Sequence, residues 1–247
     1  MTLAPLAAAA AMASAQPFDH AHAAWTAVLH GYVQDGVVDY RGLHARGGPQ
    51  LEAYLRALVA VSREEYGGFS REQRLAFWIN AYNAYTVRLI LDHYPVKSIR
   101  AIGLLPLAAF RKSFIPLLGG ELSLNEIEND RLRKELREPR IHFALVCASK
   151  SCPALRPDAY RAEAIDQELD EAARAFLRDP QKNRWDLASR TLSLSSIFKW
   201  FSEDFERASG SVLGFVARHA PPETKAALAK GAVKIEFLDY DWSLNGR

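Results

Sequence analysis

The residues best suited to chemistry lie in one short stretch, residues 140–157, which reads RIHFALVCASKSCPALRP. It holds both cysteines of the chain, Cys147 and Cys152, together with His142, a histidine that interrupts an apolar run. A cysteine thiol becomes a strong nucleophile when a neighbouring histidine takes up its proton. The stretch therefore predicts thiol chemistry.

The local structure decides which cysteine can meet the histidine. Residues 141–146 are apolar and lie between Pro139 and a Ser/Lys turn, a pattern that predicts a short buried strand. An extended strand would place His142 and Cys147 about 16 Å apart on opposite faces. The turn after the strand can fold back, which makes Cys152 the better candidate nucleophile.

A structural interpretation of the two cysteines is equally open. In an oxidising compartment, Cys147 and Cys152 could pair across the short turn and form a disulfide. A redox role has less support, because the spacing is not CxxC and no thioredoxin-like βαβ pattern accompanies it.

The strongest helix signal covers residues 71–93. Ser70 and Gln73 form a capping-box pattern at its start, and Pro95 follows its end. The segment is apolar nearly all round, so we expect it at the centre of the domain. Asn80 and Asn83 would then need partners in the interior, where they could clamp a loop or contact a substrate.

The remaining pattern predicts the fold class. Helices are predicted over 49–61 and 160–178, and short strands over 191–194 and 233–238. Long helices with few strands favour an α+β fold, in which a helical half packs on a small, mostly antiparallel sheet. Papain-like and transglutaminase-like enzymes have a similar layering, by analogy only.

Composition excludes several function classes. The chain has 31 Lys and Arg against 29 Asp and Glu, with no basic block that would favour nucleic acid. It lacks GxGxxG, P-loop and HExxH patterns, so no cofactor and no metal are predicted. We expect a peptide or small-molecule ligand, and no membrane span in the mature chain.

The first residues resemble a targeting segment. Residues 1–16 are rich in alanine, carry no charged side chain and end in Ala13-Ser14-Ala15 before Gln16, which fits signal-peptidase cleavage. The sequence thus predicts a signal peptide over 1–16, a single domain over 17–247, and a periplasmic or secreted location. An alanine-rich tail is the alternative, because the basic start of a signal peptide is missing.

Several sequence blocks together resemble the bacterial and plant family called domain of unknown function 547. They are VDY at 38–40, FWINAYNA at 77–84, SL at 123–124 with IE at 127–128, HFAL at 142–145, SCP at 151–153 and YDWSLN at 240–245. The family name implies no activity. Its members often read Ile-Glu-His where this chain has Ile127-Glu128-Asn129.

Two functional hypotheses follow. In the first, Cys152 attacks a carbonyl of a peptide or wall-related substrate and His142 is the base, giving thiol-dependent acyl transfer or hydrolysis. Glu128, or one of Asn80 and Asn83, would orient the imidazole. In the second, the protein is an exported binding module without catalysis, and the cysteines form a structural disulfide. The residues assigned to substrate binding are Trp78, Asn80, Asn83 and Trp242, with Trp200, Asp204 and Asp241 as further candidates for a ligand groove.

Overall fold

The structure is a computed structural model that describes residues 17–105, 107–186 and 188–247. The predicted signal peptide over 1–16 lies outside the described residues.

Helices make up most of the described chain. The α-helices are α1 (Ala23–Tyr32), α2 (Tyr40–Gly42), α3 (Gly48–Ala60), α4 (Arg63–Gly67), α5 (Arg71–Asp92), α6 (Ala108–Arg111), α7 (Leu124–Glu126), α8 (Ile165–Arg178), α9 (Ile197–Trp200), α10 (Ser202–Ser209), α11 (Val212–His219) and α12 (Pro222–Leu228). Two π-helical segments continue α2 and α7, over Leu43–Gly47 and Ile127–Glu135. Single 3-10 turns cover Ile99–Ala101, Pro139–Phe143 and Ala162–Ala164.

Two small sheets accompany the helices. Strands β1 (Val33–Gln34) and β2 (Val37–Val38) form an antiparallel pair. In the second sheet, β4 (Thr191–Ser195) lies between β3 (Arg184–Asp186) and β5 (Lys234–Leu238). The β3–β4 pairing is antiparallel and the β4–β5 pairing is parallel. The predicted α+β class is confirmed.

Helix α5 lies at the centre of the larger hydrophobic cluster, as its composition predicts. Ser70 and Gln73 form the expected capping box, each side chain bonding the backbone N–H of the other residue. Sixteen of the helix residues are buried, including Phe77 and Trp78. A helix that is apolar all round gains most when neighbours cover every face, and here they do.

A second cluster of buried residues forms where α8, β4 and the helices after it meet. Phe143, Phe198, Phe205 and Phe215 pack ring to ring within it, with centroids 4.8–6.5 Å apart. Phe143 follows His142 directly, so this packing fixes the backbone that carries the candidate base.

The predicted strand over 141–146 is wrong. Residues 139–143 form a 3-10 helix, and Glu138 caps it by accepting a hydrogen bond from the N–H of Arg140. The turn closes where the N–H of Ala144 donates to the carbonyl of Ile141. A short buried apolar run has the same pattern in a helix and in a strand, and no strand of the described residues pairs with this run.

Candidate functional site

The candidate site is a cavity of about 540 Å³ between the central helix and the C-terminal segment. Its wall contains three of the predicted catalytic residues and one predicted binding residue: Glu128, His142, Cys152 and Trp242. The other lining residues are Tyr82, Arg100, Leu107, Phe110, Arg111, Asn125, Asn129, Leu145, Cys147, Pro153, Ile197, Trp200, Phe201 and Tyr240.

The two cysteines are joined at the cavity wall. Cys147 and Cys152 form a disulfide bond, and neither is a free cysteine. The Cys152 sulfur also accepts a hydrogen bond from the N–H of Cys147 at 2.9 Å and from the Tyr240 hydroxyl at 3.2 Å. In this oxidised form there is no thiol to attack a carbonyl. The hydrolase hypothesis therefore requires the reduced protein.

His142 lines the same cavity as Cys147, because the 3-10 helix replaces the extended strand that would have separated them. Its Nε2 atom is 2.8 Å from Oδ2 of Asp204, and its Nδ1 atom is 3.8 Å from Oε1 of Glu128. The ring stacks on Phe201 with 3.9 Å between centroids. Both ring nitrogens thus face carboxylates.

Burial governs the protonation of this histidine. The imidazole is 1% exposed, and loss of hydration lowers the pKa of His142 although the hydrogen bond to Asp204 opposes the shift. We therefore describe His142 as neutral near pH 7. A neutral ring that donates from Nε2 to Asp204 keeps Nδ1 as an acceptor facing Glu128.

Asp204 anchors the histidine from beneath the cavity. Besides His142, its carboxylate accepts hydrogen bonds from Arg133, at 2.5 Å, and from Arg207. Burial alone would raise the pKa of Asp204, but the hydrogen bonds and charges of His142 and Arg133 outweigh it, and the pKa of Asp204 is lowered. The sequence suggested Asp204 as a groove residue, but its role as the partner of His142 depends on α10 packing against the 3-10 helix.

Glu128 is an acidic group of the cavity whose pKa is strongly altered by its surroundings. Its carboxyl lies on the π-helical segment after α7 and is 17% exposed. Burial raises the pKa of Glu128 to about 7, while Arg133 opposes the shift. At neutral pH this carboxyl is thus available as a proton donor and as an acceptor. Asn129, where related chains often have histidine, lines the cavity beside it.

The two asparagines of α5 lie outside the cavity lining and hold backbone segments in place. The Asn80 side chain donates to the carbonyl of Tyr160 at 2.7 Å and accepts from its N–H at 3.0 Å. Asn83 donates to the carbonyl of Ala144 and accepts from the N–H of Val146, both at 2.9 Å. Each amide is thus a two-bond clamp, and the Asn83 clamp fixes the segment that leads to Cys147.

Trp78 also lies outside the cavity lining. Its ring is fully buried, and its N–H donates to the Tyr66 hydroxyl at 2.7 Å. Trp242 does line the cavity, together with Trp200, whereas Asp241 does not. Asp241 instead accepts hydrogen bonds from the backbone and hydroxyl of Ser243.

Sequence reasoning missed the cationic part of the wall. Arg100 and Arg111 line the cavity, and the Arg100 guanidinium lies 5.2 Å from the ring centre of Trp242. Tyr240 was likewise not assigned, although its hydroxyl contacts both sulfurs, at 3.3 Å for Cys147. An available signal was the segment 93–120, which has four Lys or Arg residues and no Asp or Glu.

Comparison with known proteins gives a family match for the middle part of the chain. The model of the family described as Protein of unknown function, DUF547, matches residues 66–177. This match, which covers less than half of the chain, supports the family that the sequence blocks indicated. The blocks at 38–40 and 240–245 lie outside the matched range. No curated protein and no solved structure matches the chain.

Two features are absent from the residues that the structure describes. Within 17–105, 107–186 and 188–247, no group of three His, Cys, Asp or Glu side chains is arranged to hold a metal ion. No described helix is both long enough and apolar enough to cross a membrane.

Proposed function

We propose that the protein is a binding module for a ligand that combines a flat apolar face with a carboxylate, such as a peptide or a wall fragment. The observation that carries this proposal is the aromatic wall of the cavity. A volume of about 540 Å³ lies within the range of small-molecule sites, which are mostly apolar with a few placed polar groups.

Three aromatic rings form a continuous surface on the C-terminal side of the cavity. Trp242 lies 4.6 Å from Tyr240 and 5.8 Å from Trp200, measured between ring centroids. Trp200 and Tyr240 are 4.8 Å apart. Such a surface stacks on planar or ring-shaped apolar groups, including the face of a sugar or of a proline.

The polar groups of the cavity favour an anionic ligand. Arg100 and Arg111 supply guanidinium donors that match a carboxylate geometrically. Protonated Glu128 can donate a further hydrogen bond to the ligand below about pH 7. Ionised Glu128 would repel a carboxylate, so we expect affinity to fall as the pH rises through that value.

Binding fits the geometry better than thiol hydrolysis does. A cysteine hydrolase needs a free sulfhydryl with an imidazole nitrogen directed at it. Here the sulfurs of Cys147 and Cys152 are bonded, and both nitrogens of His142 face carboxylates. The disulfide is then a rigid part of the cavity wall.

Tryptophan fluorescence and calorimetry test the proposal. The probes are a wall disaccharide–peptide and the free tetrapeptide, with the amidated tetrapeptide as the uncharged comparison. We expect Trp242→Leu to weaken binding by about tenfold or more, since a central aromatic contact is lost. Trp185→Leu, outside the cavity, is the matched control. Equal affinities for Trp242→Leu and the unchanged protein would refute the proposal.

The second candidate is the thiol hydrolase, which is favoured by the common cavity of Cys152, His142 and Glu128. It predicts that the reduced protein is labelled at Cys152 by an electrophilic probe and loses turnover in Cys152→Ala. The binding module predicts that Cys152→Ala retains ligand affinity. Measuring turnover and ligand affinity on Cys152→Ala therefore distinguishes the hydrolase from the binding module.

We also propose that the chain is exported, on the basis of residues 1–16. The N-terminal sequence of the protein recovered from the periplasm or medium is the test. A mature terminus at Gln16 or Pro17 is the expected result, and recovery of the uncleaved chain from the cytoplasm alone would contradict export.

A further inference from the structure

Three leucines stand out on the surface near the cavity. Leu104 is 102% exposed and Leu105 73%, so these two residues lie largely in water, and Leu107 is 40% exposed. Isolated exposed leucines are common, but three within four positions concentrate apolar surface at one place. Water is an unfavourable surrounding for such a group, and contact with an apolar phase would stabilise it.

The charged residues of the segment that carries these leucines are all basic. Lys97, Arg100, Arg111 and Lys112 are all exposed, and the segment 93–120 that contains them has no acidic residue. The whole chain has a formal charge of only +2, so positive charge is concentrated in this segment. Because acidic and basic residues are nearly equal in number over the whole chain, the net charge alone does not indicate this basic segment.

The same face carries an exposed tryptophan at the cavity mouth. Trp200 is 47% exposed and stacks on Trp242, whose ring lies beneath the Arg100 guanidinium. Leu107 lines the cavity together with these residues. Leucines, a tryptophan and cations therefore meet at one end of the molecule, the arrangement typical of segments that lie in a membrane interface.

We propose that this leucine–cation face (Lys97, Arg100, Leu104, Leu105, Leu107, Arg111, Lys112 and Trp200) docks on an anionic lipid surface. The leucines enter the boundary between headgroups and acyl chains, and the cations bind the headgroups. The cavity mouth then faces the membrane.

A second copy of this chain is the other occupant to consider. In a two-fold symmetric dimer, the same patch contacts itself, so the cations of one copy would lie against those of the other. Like charges at short distance oppose such an interface, whereas an anionic bilayer complements them. The charge pattern thus favours the lipid surface.

Co-sedimentation of the full chain with vesicles tests the proposal. We expect several-fold more protein on vesicles containing phosphatidylglycerol than on pure phosphatidylcholine, with the difference reduced by salt. Lys97→Glu with Lys112→Glu should lower binding about tenfold or more. Leu104→Ser with Leu105→Ser should lower it on both kinds of vesicle. None of these four residues lines the cavity, so ligand binding in solution is a separate measurement.

Two control variants change exposed residues elsewhere. Val59→Ser replaces an apolar side chain on α3, and Arg178→Glu reverses a charge at the end of α8. Both should bind vesicles like the unchanged protein. Binding that is equal on both vesicle types, or that drops equally in the controls, would overturn the proposal. So would a dimer in solution that Leu104→Ser with Leu105→Ser dissociates, if vesicle binding is absent.

Discussion

The asparagines of α5 and the polar residues of the cavity wall are both surrounded by apolar side chains, but their hydrogen bonds go to different places. Asn80 and Asn83 direct both ends of each amide to backbone groups. Glu128 instead keeps its carboxyl toward the cavity, 3.8 Å from the ring of His142. A buried polar side chain whose donors and acceptors are all hydrogen-bonded to the protein supports the fold. A buried side chain with a free donor or acceptor can instead bind a ligand.

The largest expected effect on stability concerns the two backbone hydrogen bonds of the Asn83 side chain. Asn83→Ala should lower the free energy of unfolding by roughly 3 kcal/mol, because it leaves the buried carbonyl of Ala144 and N–H of Val146 without partners. Urea unfolding measures the change. If Asn83→Ala lowered the free energy of unfolding by less than the same substitution of an exposed asparagine, Asn83 would not hold the backbone in place.

The second-largest expected effect on stability concerns the disulfide between Cys147 and Cys152. Cys147→Ser with Cys152→Ser should lower the free energy of unfolding by about 2 kcal/mol, the value for closing a short loop. Reductant should lower the stability of the unchanged protein by a similar amount and leave the double variant unaffected. Equal urea midpoints for the oxidised and reduced protein would contradict a structural role for the bond.

A smaller effect should appear in the pH dependence of stability. The folded-state pKa of Glu128, about 7, lies above its ordinary value of 4.5. The folded state therefore holds this proton more tightly, and its contribution is present below pH 4.5 and lost as the pH rises to about 7.

Glu128→Gln should abolish the decrease in the free energy of unfolding between pH 4.5 and about 7. We expect this decrease to be about 1–2 kcal/mol after allowance for solvent screening. Urea unfolding across the interval, for variant and unchanged protein, gives the difference. His142 contributes in the opposite sense, since its lowered pKa removes stability as the pH falls below 6.5. Parallel profiles for the two proteins would show that Glu128 ionises at its ordinary pKa.

The smallest effect should come from the matched asparagine on the cavity wall. Asn125 is exposed, and its side chain bonds only Asn129 among the described residues. Asn125→Ala should change the free energy of unfolding by less than about 0.5 kcal/mol. If Asn125→Ala lowered the free energy of unfolding as much as Asn83→Ala, asparagines that line the cavity and asparagines that hold the backbone would not differ in their contribution to stability.

Much of the scaffold could be predicted from sequence because its signals are local. The capping box of Ser70 and Gln73 begins α5, and the strand predicted over 233–238 is β5, Lys234–Leu238. The run at 141–146 could not be assigned correctly, since an apolar pattern this short fits a buried helix as well as a buried strand. That one difference changes the surroundings of His142.

The sequence by itself indicated the resemblance to the family, determined the α+β class and the central helix, and pointed to four of the cavity residues: Glu128, His142, Cys152 and Trp242. Only the tertiary structure decided their partners: Asp204 for His142, Cys147 for Cys152, and backbone groups for the asparagines. The physical reason is that capping, periodicity and composition act within a few residues. Hydrogen bonds in the interior instead join residues distant in sequence, such as His142 and Asp204, and form only when α10 packs against the 3-10 helix.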